Sequence, residues 1–222
     1  MHFVGGEPTL RPDLARLIAY ARGQNLSVSL VTNGRRLSYP DYLSRLLRAG
    51  LDHVDIGIHG PAEVHDEVTQ DASFSQASSA IADLVQAGCD VTTSLTLLAP
   101  YLDRLGETLQ WALAGGVGQI ALRYPHASGA LLATPHLMPD IQEAAECVTR
   151  CLRTLTPEAL KRIVVTDLPL CLLEEFSALG TTSEAPQTGW EATRLKPPHC
   201  AGCALAEPCP GVSAAAIRAQ PH

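Results

Sequence analysis

An alternation of short apolar runs and longer amphipathic stretches constrains the fold of this chain more than any other feature. The apolar runs are rich in β-branched residues and predict strands, whereas the longer stretches carry apolar residues at helical spacing. The predicted strands are residues 27–31, 54–58, 91–97 and 119–123, and the predicted helices are residues 14–24, 41–49, 75–86 and 103–114. Strand–helix units of about 30 residues join parallel strands through right-handed crossovers. We therefore expect an α/β fold.

The architecture expected from this alternation is a partial TIM-type (β/α)6 barrel of parallel strands, with an open doubly wound sheet as the competing arrangement. Residues 1–138 would form the barrel core. From about Pro139 the alternation weakens, and one helix and one strand precede a cysteine-rich end. Residues 139–222 are therefore predicted to be a C-terminal region with a small cysteine-rich extension.

Composition narrows the classes of function. The 222 residues are 46% apolar and 18% charged, and the formal net charge is −7. A membrane span needs about 20 consecutive apolar residues, and no apolar run approaches that length. No signal-peptide pattern is visible. A chain that binds nucleic acid usually carries a basic patch, and none stands out here. We expect a cytoplasmic protein with no membrane partner, for which a small-molecule or peptide substrate is favoured over nucleic acid.

The predicted strands end in polar, glycine-containing turns, namely GGEP, TNG and IHG. In parallel α/β folds, ligands bind at the carboxyl ends of the strands, so these turns are expected to line one site. Glycine allows a ligand to approach the backbone closely, and Glu7 could accept a hydrogen bond from a ligand ammonium group. The alternative is that GGEP is only a tight connection between a strand and a helix.

Cysteine spacing indicates a metal or cluster site near the C-terminus. Three of the seven cysteines, Cys200, Cys203 and Cys209, lie in the segment HCAGCALAEPCPGV. A CxxC pair brings two thiolates close enough for one metal or cluster. Cys171, which follows the last predicted strand, is the candidate fourth ligand. Four thiolates suit a 4Fe–4S cluster or a structural zinc ion, and in a zinc site His199 could replace one cysteine.

The other three cysteines are interpreted as core residues. Cys89 lies between a glycine and a predicted strand, where a small apolar side chain is expected. Cys147 and Cys151 are four residues apart on a predicted helix, so they share one face of it. None of the seven cysteines forms a CxxxCxxC motif.

Four segments, in this order, resemble the core of the radical S-adenosylmethionine (radical SAM) family: FVGGEPTLRPDL, SLVTNGRRL, VDIGIHGPAEVHDEV and VTTSLTLL. The resemblance runs over about residues 1–129. It implies a SAM-binding barrel in which the GGE segment and its backbone hold the amino group of the SAM methionine. The residues implied to bind SAM or line its cavity are Gly5, Gly6, Glu7, Thr32, Asn33, Ser94 and, as a contact to a carboxylate, Arg123. For Ser94 and Arg123 the alternative is the ordinary polarity of a strand residue.

The resemblance also implies a 4Fe–4S cluster held by three cysteines of a CxxxCxxC motif, which this chain lacks. Met1 would then stand in the second strand of the fold, with the first β/α unit missing and the ligands of the SAM-binding cluster outside this chain. The intact protein would generate a 5′-deoxyadenosyl radical that abstracts hydrogen from an unknown substrate. Its electron donor would be a protein such as flavodoxin or ferredoxin. The chain as given is expected to be inactive.

The cysteine-rich end resembles the auxiliary-cluster regions of radical SAM enzymes of the SPASM and related types. This resemblance favours an auxiliary 4Fe–4S cluster over zinc at Cys171, Cys200, Cys203 and Cys209. The alternative function, from another class, is a non-catalytic α/β binding module that is stabilised by zinc or an iron–sulfur cluster.

Overall fold

The structure is a computed structural model that describes residues 1–126, 130–181 and 194–213. The strands in these ranges are β1 His2–Phe3, β2 Ser29–Thr32, β3 His53–Ile58, β4 Asp90–Thr96, β5 Gln119–Arg123, β6 Ile163–Thr166, β7 Gly180–Thr181, β8 Arg194–Leu195 and β9 Val212–Ser213. The helices are α1 Leu14–Gly23, α2 Pro40–Ala49, α3 Ala62–Thr69, α4 Phe74–Gln86, α5 Leu105–Ala114, α6 Ala130–Ala133, α7 Ile141–Leu152 and α8 Pro157–Leu160. Short 3₁₀ helices lie at Pro8–Leu10, Arg35–Ser38, Ala99–Arg104, Pro135–Leu137, Leu170–Leu179 and Pro198–Gly202.

The first seven strands form one open sheet, in which they follow one another in chain order and β1 and β7 are the edges. Strands β1 to β4 pair in parallel, as do β6 and β7. Parallel neighbours need a crossover connection, which α1, α2 and α4 provide between the first four strands. The expected α/β fold with parallel strands is confirmed.

The chain divides into two compact units, residues 1–95 with 107–120, and residues 96–106 with 121–222. In the first unit, one face of β2 to β4 is apolar and buried beneath helices. A Cβ at Gly34 would lie 3.1 Å from the Ile56 side chain and 3.4 Å from Ala77 of α4, so α4 covers this face closely. Gly34 also has a φ of +78°, a conformation that glycine adopts without strain. The buried apolar residues of this face include Leu30, Val54, Ile56, Ile58, Val91 and Leu95.

The opposite face of the same strands is polar. Val31 pairs in register with Asp55, and Asp55 pairs with Thr92, so these three side chains project from one side. Val31 is 42% exposed in the middle of this face. Strands of parallel sheets are usually apolar on both faces because helices cover both. A polar and partly open face therefore indicates a surface that meets a ligand. Its buried polar residues are Ser29, Asp55, Thr92 and Ser94.

In the second unit, Asp140 caps the start of α7, and its carboxylate accepts the N–H groups of Gln142 and Glu143 at 2.8 and 3.0 Å. The helix is amphipathic and packs against the 3₁₀ helix Leu170–Leu179. The Cys147 thiol is buried and donates a hydrogen bond to the Leu102 carbonyl at 2.9 Å, as a core residue would. Near the C-terminus, β8 and β9 form a two-stranded antiparallel ribbon. Throughout the described ranges, every helix is too short or too polar to cross a membrane.

Candidate functional site

The GGEP and TNG turns are joined by the carboxylate of Glu7. Its Oε1 accepts hydrogen bonds from the backbone N–H and the hydroxyl of Thr9, at 3.0 and 2.7 Å. The Thr32 hydroxyl donates to the same oxygen at 2.7 Å. Its Oε2 accepts the backbone N–H of Asn33 at 2.8 Å. The structure thus brings together three of the residues that the sequence placed at one site.

The charge of Glu7 has no cationic partner within the described residues. Its four donors are neutral N–H and O–H groups, and the side chain is half-buried. A carboxylate offers about four lone-pair sites, two on each oxygen. Three donors crowd Oε1, whereas Oε2 accepts one donor from the described residues and keeps a site for a ligand. Glu7 therefore holds the two turns in place and presents a fixed negative charge at the carboxyl end of a strand.

The two glycines before Glu7 leave the backbone of the turn open. Gly5 and Gly6 are exposed, and a Cβ built on either would meet no atom within 4 Å. Gly5 has a φ of +100°, where any other residue is strained. An open glycine backbone beside a fixed negative charge fits a ligand that carries an ammonium group, as SAM does.

The second turn is fixed by its own side chains. Thr32 is buried, and its hydroxyl accepts the Gly34 N–H at 3.2 Å while donating to Glu7. The Asn33 side-chain oxygen accepts the Arg35 N–H at 3.0 Å. The backbone N–H of Asn33 and the hydroxyl of Thr32 therefore stay aimed at Glu7, and the two turns form one surface.

Ser94 lies on the polar face of the sheet and donates a hydrogen bond to Asp55 Oδ1 at 2.6 Å. Both side chains are buried. Gly57 pairs in register with Ser94, and a Cβ at Gly57 would meet no atom within 4 Å. Asp55 is not among the predicted site residues, because the run VDIGI predicts only an apolar strand. The missed signal is an acidic residue at an alternate position of a buried strand.

In the second unit, Arg123 ends β5 and is half-buried, and its carbonyl accepts the Leu97 N–H at 2.9 Å.

Two residues that follow strands form a pair that the sequence did not single out. His126 Nε2 lies 3.2 Å from Asp167 Oδ2, after β5 and β6 respectively. Asp167 is 3% exposed and has a φ of +71°, a strained conformation that is concentrated at functional sites. The turn at Asp167 also ends β6 at Thr166.

Two histidines after β3 pack against each other. The His59 and His65 rings stack with centroids 5.4 Å apart, and His65 Nδ1 accepts the His59 backbone N–H at 3.3 Å. His65 Nε2 lies 3.1 Å from the Ser73 hydroxyl. The Nδ1 atom of His59 is buried and has no hydrogen-bond partner in the described part of the chain. Burial, and then the neighbouring His65, lower the pKa of His59 to about 4. Burial also lowers the pKa of His65.

These two pKa shifts predict acid sensitivity. An unfolded histidine binds its proton near pH 6.5, whereas folded His59 does so near pH 4. The unfolded state therefore binds more protons as the pH falls below 6.5, and the free energy of unfolding decreases. His59 alone accounts for up to about 2 kcal/mol between pH 7 and pH 5. In urea unfolding at pH 7 and pH 5, the free energy of unfolding should fall less for His59→Phe than for the parent.

The exposed His136 provides the control, because His136→Phe removes a histidine that is not buried. Its urea midpoint should shift with pH as the parent does. An equal pH dependence in the parent and in His59→Phe would contradict the assignment to His59.

The four cysteines predicted as ligands lie in one neighbourhood. The pKa of the Cys171 thiol is raised by burial and, next, by the charges of Cys209, Cys203 and Cys200. The Cys209 sulfur accepts backbone N–H groups from Leu170 and Gly211, each at 3.4 Å. Hydrogen bonds of this kind support a thiolate that binds a metal or cluster.

The four cysteine side chains are near one another but are not arranged as a set of metal ligands. Across the described ranges, no three Cys, His, Asp or Glu side chains are already arranged to hold a metal ion. The side chain of His199, the alternative zinc ligand, lies outside the described part of the structure. The donor chemistry, four thiols with N–H groups aimed at one sulfur, nevertheless fits a cluster or a zinc ion.

Comparison with known proteins gives three findings on sequence. A protein-family model described as the radical SAM superfamily matches residues 1–112. The chain is 34% identical over 131 residues to the PqqA peptide cyclase of Gluconobacter oxydans (strain 621H), which covers 58% of this chain and 36% of that protein. It is 36% identical over 118 residues to the mycofactocin maturase MftC of Mycobacterium ulcerans (strain Agy99), which covers 48% and 32%. The matched part is thus only about a third of the length of these curated relatives.

Among solved structures, the chain resembles a domain of pyruvate-formate lyase-activating enzyme from Bacteroides vulgatus ATCC 8482, with a TM-score of 0.58. The match covers 74% of this chain and 97% of that domain at 13% identity. At this identity the likeness concerns the fold alone. It agrees with the open parallel sheet described above.

Proposed function

Because the chain belongs to the radical SAM superfamily, we propose that it is the core of a radical SAM enzyme that modifies a peptide. The peptide substrate is proposed from the PqqA peptide cyclase, whose name describes a peptide as its substrate. When bound and reduced, the family's 4Fe–4S cluster supplies the electron that splits SAM and yields a 5′-deoxyadenosyl radical. A small cytoplasmic electron carrier of the flavodoxin or ferredoxin kind would reduce the cluster.

The observation that carries this proposal is the uncompensated carboxylate of Glu7. Its four neutral donors hold it rigidly between two turns, next to the exposed backbone of Gly5 and Gly6. A fixed negative charge attracts the ammonium group of SAM, and the glycine carbonyls are open to accept its hydrogen bonds. In this proposal Thr32 and Asn33 keep the carboxylate oriented rather than contact SAM through their side chains.

Ser94 and Arg123 have separate proposed roles. Ser94 and Asp55 would contact SAM on the polar face of the sheet, because Gly57 has no side chain and leaves space next to Ser94. Arg123, at the end of β5, would bind a carboxylate. These two roles are assigned from position and chemistry, and each can be tested by substitution.

Four cysteines, Cys171, Cys200, Cys203 and Cys209, would hold an auxiliary 4Fe–4S cluster in this proposal, with zinc as the alternative. The support is their shared neighbourhood and the two N–H groups directed at the Cys209 sulfur. The three cysteines that hold the SAM-binding cluster would come from residues outside the 222, since no CxxxCxxC motif occurs among them.

The test compares this chain with a longer form that carries a CxxxCxxC segment ahead of Met1. Both are reconstituted with iron and sulfide under anaerobic conditions, reduced and supplied with SAM, and 5′-deoxyadenosine is measured. The longer form should produce it, and the 222-residue chain should not. Production by the shorter chain, or none by the longer form with its cluster in place, would contradict the proposal.

The second candidate is a non-catalytic binding module that is stabilised by metal at the four C-terminal cysteines. The missing CxxxCxxC motif favours it for the chain as given. It predicts that metal binding stabilises the chain while SAM is never cleaved by any form of it. The same deoxyadenosine measurement therefore separates the two candidates.

A further inference from the structure

A cavity of about 560 Å³ lies at the start of α2. Its volume falls within the range typical of small-ligand sites. We call it the Arg36–Arg45 pocket. Its lining residues are Arg36, Tyr39, Asp41, Tyr42 and Arg45.

Two guanidinium groups converge on one aromatic ring in this pocket. The guanidinium carbons of Arg36 and Arg45 lie 4.8 and 5.0 Å from the centre of the Tyr42 ring. Neither arginine forms an ion pair within the described residues, nor does Asp41. Two positive charges thus face one carboxylate in a chain whose net charge is −7. An additional anion would relieve this local repulsion.

The pocket is rigid on one side and open on the other. Arg36 donates to the Thr9 carbonyl at 2.8 Å, and the Tyr42 hydroxyl donates to the same oxygen at 3.0 Å. Tyr42 is buried, whereas Arg45 is exposed and Tyr39 is 58% exposed. Arg45 is therefore free to approach a ligand, and the Tyr39 ring offers an apolar surface beside it.

This arrangement fits a carboxylate that is attached to an apolar or aromatic group. A guanidinium binds a carboxylate through two parallel N–H bonds, and an adjacent ring can pack on Tyr39. The floor of the pocket leads to the GGEP turn, since Thr9 bonds Glu7 through its N–H and hydroxyl. A ligand here would therefore help to order the turn that holds Glu7.

We propose that the Arg36–Arg45 pocket binds the carboxylate of an acidic peptide segment that also carries an aromatic side chain. The choice of a peptide rests on the proposed function, whereas the carboxylate chemistry rests on the pocket alone. The pocket would hold one part of the substrate while another part occupies the reaction site.

Binding of a short amidated peptide of alternating phenylalanine and glutamate tests this, measured by calorimetry on the full chain at low ionic strength. Arg45→Gln should weaken binding about tenfold, as expected for the loss of a charge-assisted contact. Arg48→Gln, an exposed arginine of the same helix that does not line the pocket, should leave binding unchanged. Arg36→Gln should also weaken binding. Because Arg36 donates to the Thr9 carbonyl, this variant could unfold, and Arg45→Gln then remains as the test.

Three further ligands separate the sources of binding energy. A peptide with glutamine in place of glutamate should bind at least tenfold more weakly than the acidic peptide. Free glutarate should compete with the acidic peptide only at much higher concentration, and inorganic phosphate should compete no better than glutarate. Equal binding of the two peptides, equal loss in Arg45→Gln and Arg48→Gln, or stronger competition by phosphate would overturn the proposal. None of these readouts depends on SAM cleavage, so failure here leaves the proposed function standing.

Discussion

The Glu7→Gln variant is expected to lose about 3 kcal/mol of unfolding free energy and most of its affinity for SAM. The carboxylate accepts donors on both oxygens, from Thr9 and Thr32 on one and from Asn33 on the other. A glutamine has one carbonyl oxygen, so its NH₂ group must face at least one of these donors. The least costly orientation points the NH₂ group at the exposed Asn33 N–H and loses that bond. The three bonds on the other oxygen then go to a neutral acceptor, and hydrogen bonds to a charged group are worth about 1.5–3 kcal/mol against about 1 kcal/mol for neutral ones.

The urea midpoint and a SAM titration of the same variant separate its two effects. Glu67→Gln is the matched control, because it removes the same charge from an exposed position of the same unit. We expect Glu67→Gln to unfold and to bind SAM as the parent does. If Glu7→Gln unfolded at the parent's urea concentration, Glu7 would not hold the two turns together. Unchanged SAM affinity would remove its proposed electrostatic role.

The meeting of the GGEP and TNG turns could be predicted because carboxyl ends of parallel strands share one edge of a sheet. The hydrogen bonds of Glu7 could not be predicted from the sequence. The sequence predicts a carboxylate that binds a ligand ammonium group, whereas in the structure Thr9, Thr32 and Asn33 already donate four hydrogen bonds to it. Those bonds depend on the side-chain rotamer and on the geometry of two turns, neither of which appears in spacing.

Asp55 illustrates a different limit. The run VDIGI has the composition of a strand, and its strand assignment is confirmed as part of His53–Ile58. The face to which Asp55 belongs follows from alternation, but its partner Ser94 depends on the register between two strands that are far apart in sequence. Only the register, set by packing of the apolar face, brings the two side chains within 2.6 Å.

Short elements account for most of the fold that the sequence missed. The ribbon of β8 and β9 has two residues per strand, too few to show a period of two. The helix α3, Ala62–Thr69, is not among the predicted helices. In both cases tertiary packing stabilises a segment whose own sequence signal is weak.

Replacing Cys209 with alanine is expected to abolish iron–sulfur binding at the C-terminal site. The parent chain, reconstituted anaerobically, should hold about four irons and four sulfides, as a cluster with four thiolate ligands does. Cys209 is the most informative of the four proposed ligands because its sulfur already accepts N–H groups from Leu170 and Gly211. Its loss removes both a ligand and the charge that those donors stabilise, so bound iron should fall below about one per chain.

The control is Cys89→Ala. Burial, followed by the nearby carboxylates of Asp90 and Asp52, raises the pKa of Cys89 to about 11, so its thiol stays protonated at neutral pH and is a poor metal ligand. Cys89→Ala should therefore keep the parent's iron and sulfide, which excludes a general loss caused by removing any cysteine. One zinc without sulfide in the parent, lost in Cys209→Ala, would make the site a structural zinc centre. Equal iron and sulfide in all three proteins would remove Cys209 from the ligand set, because a ligand cannot be deleted without changing what the site holds.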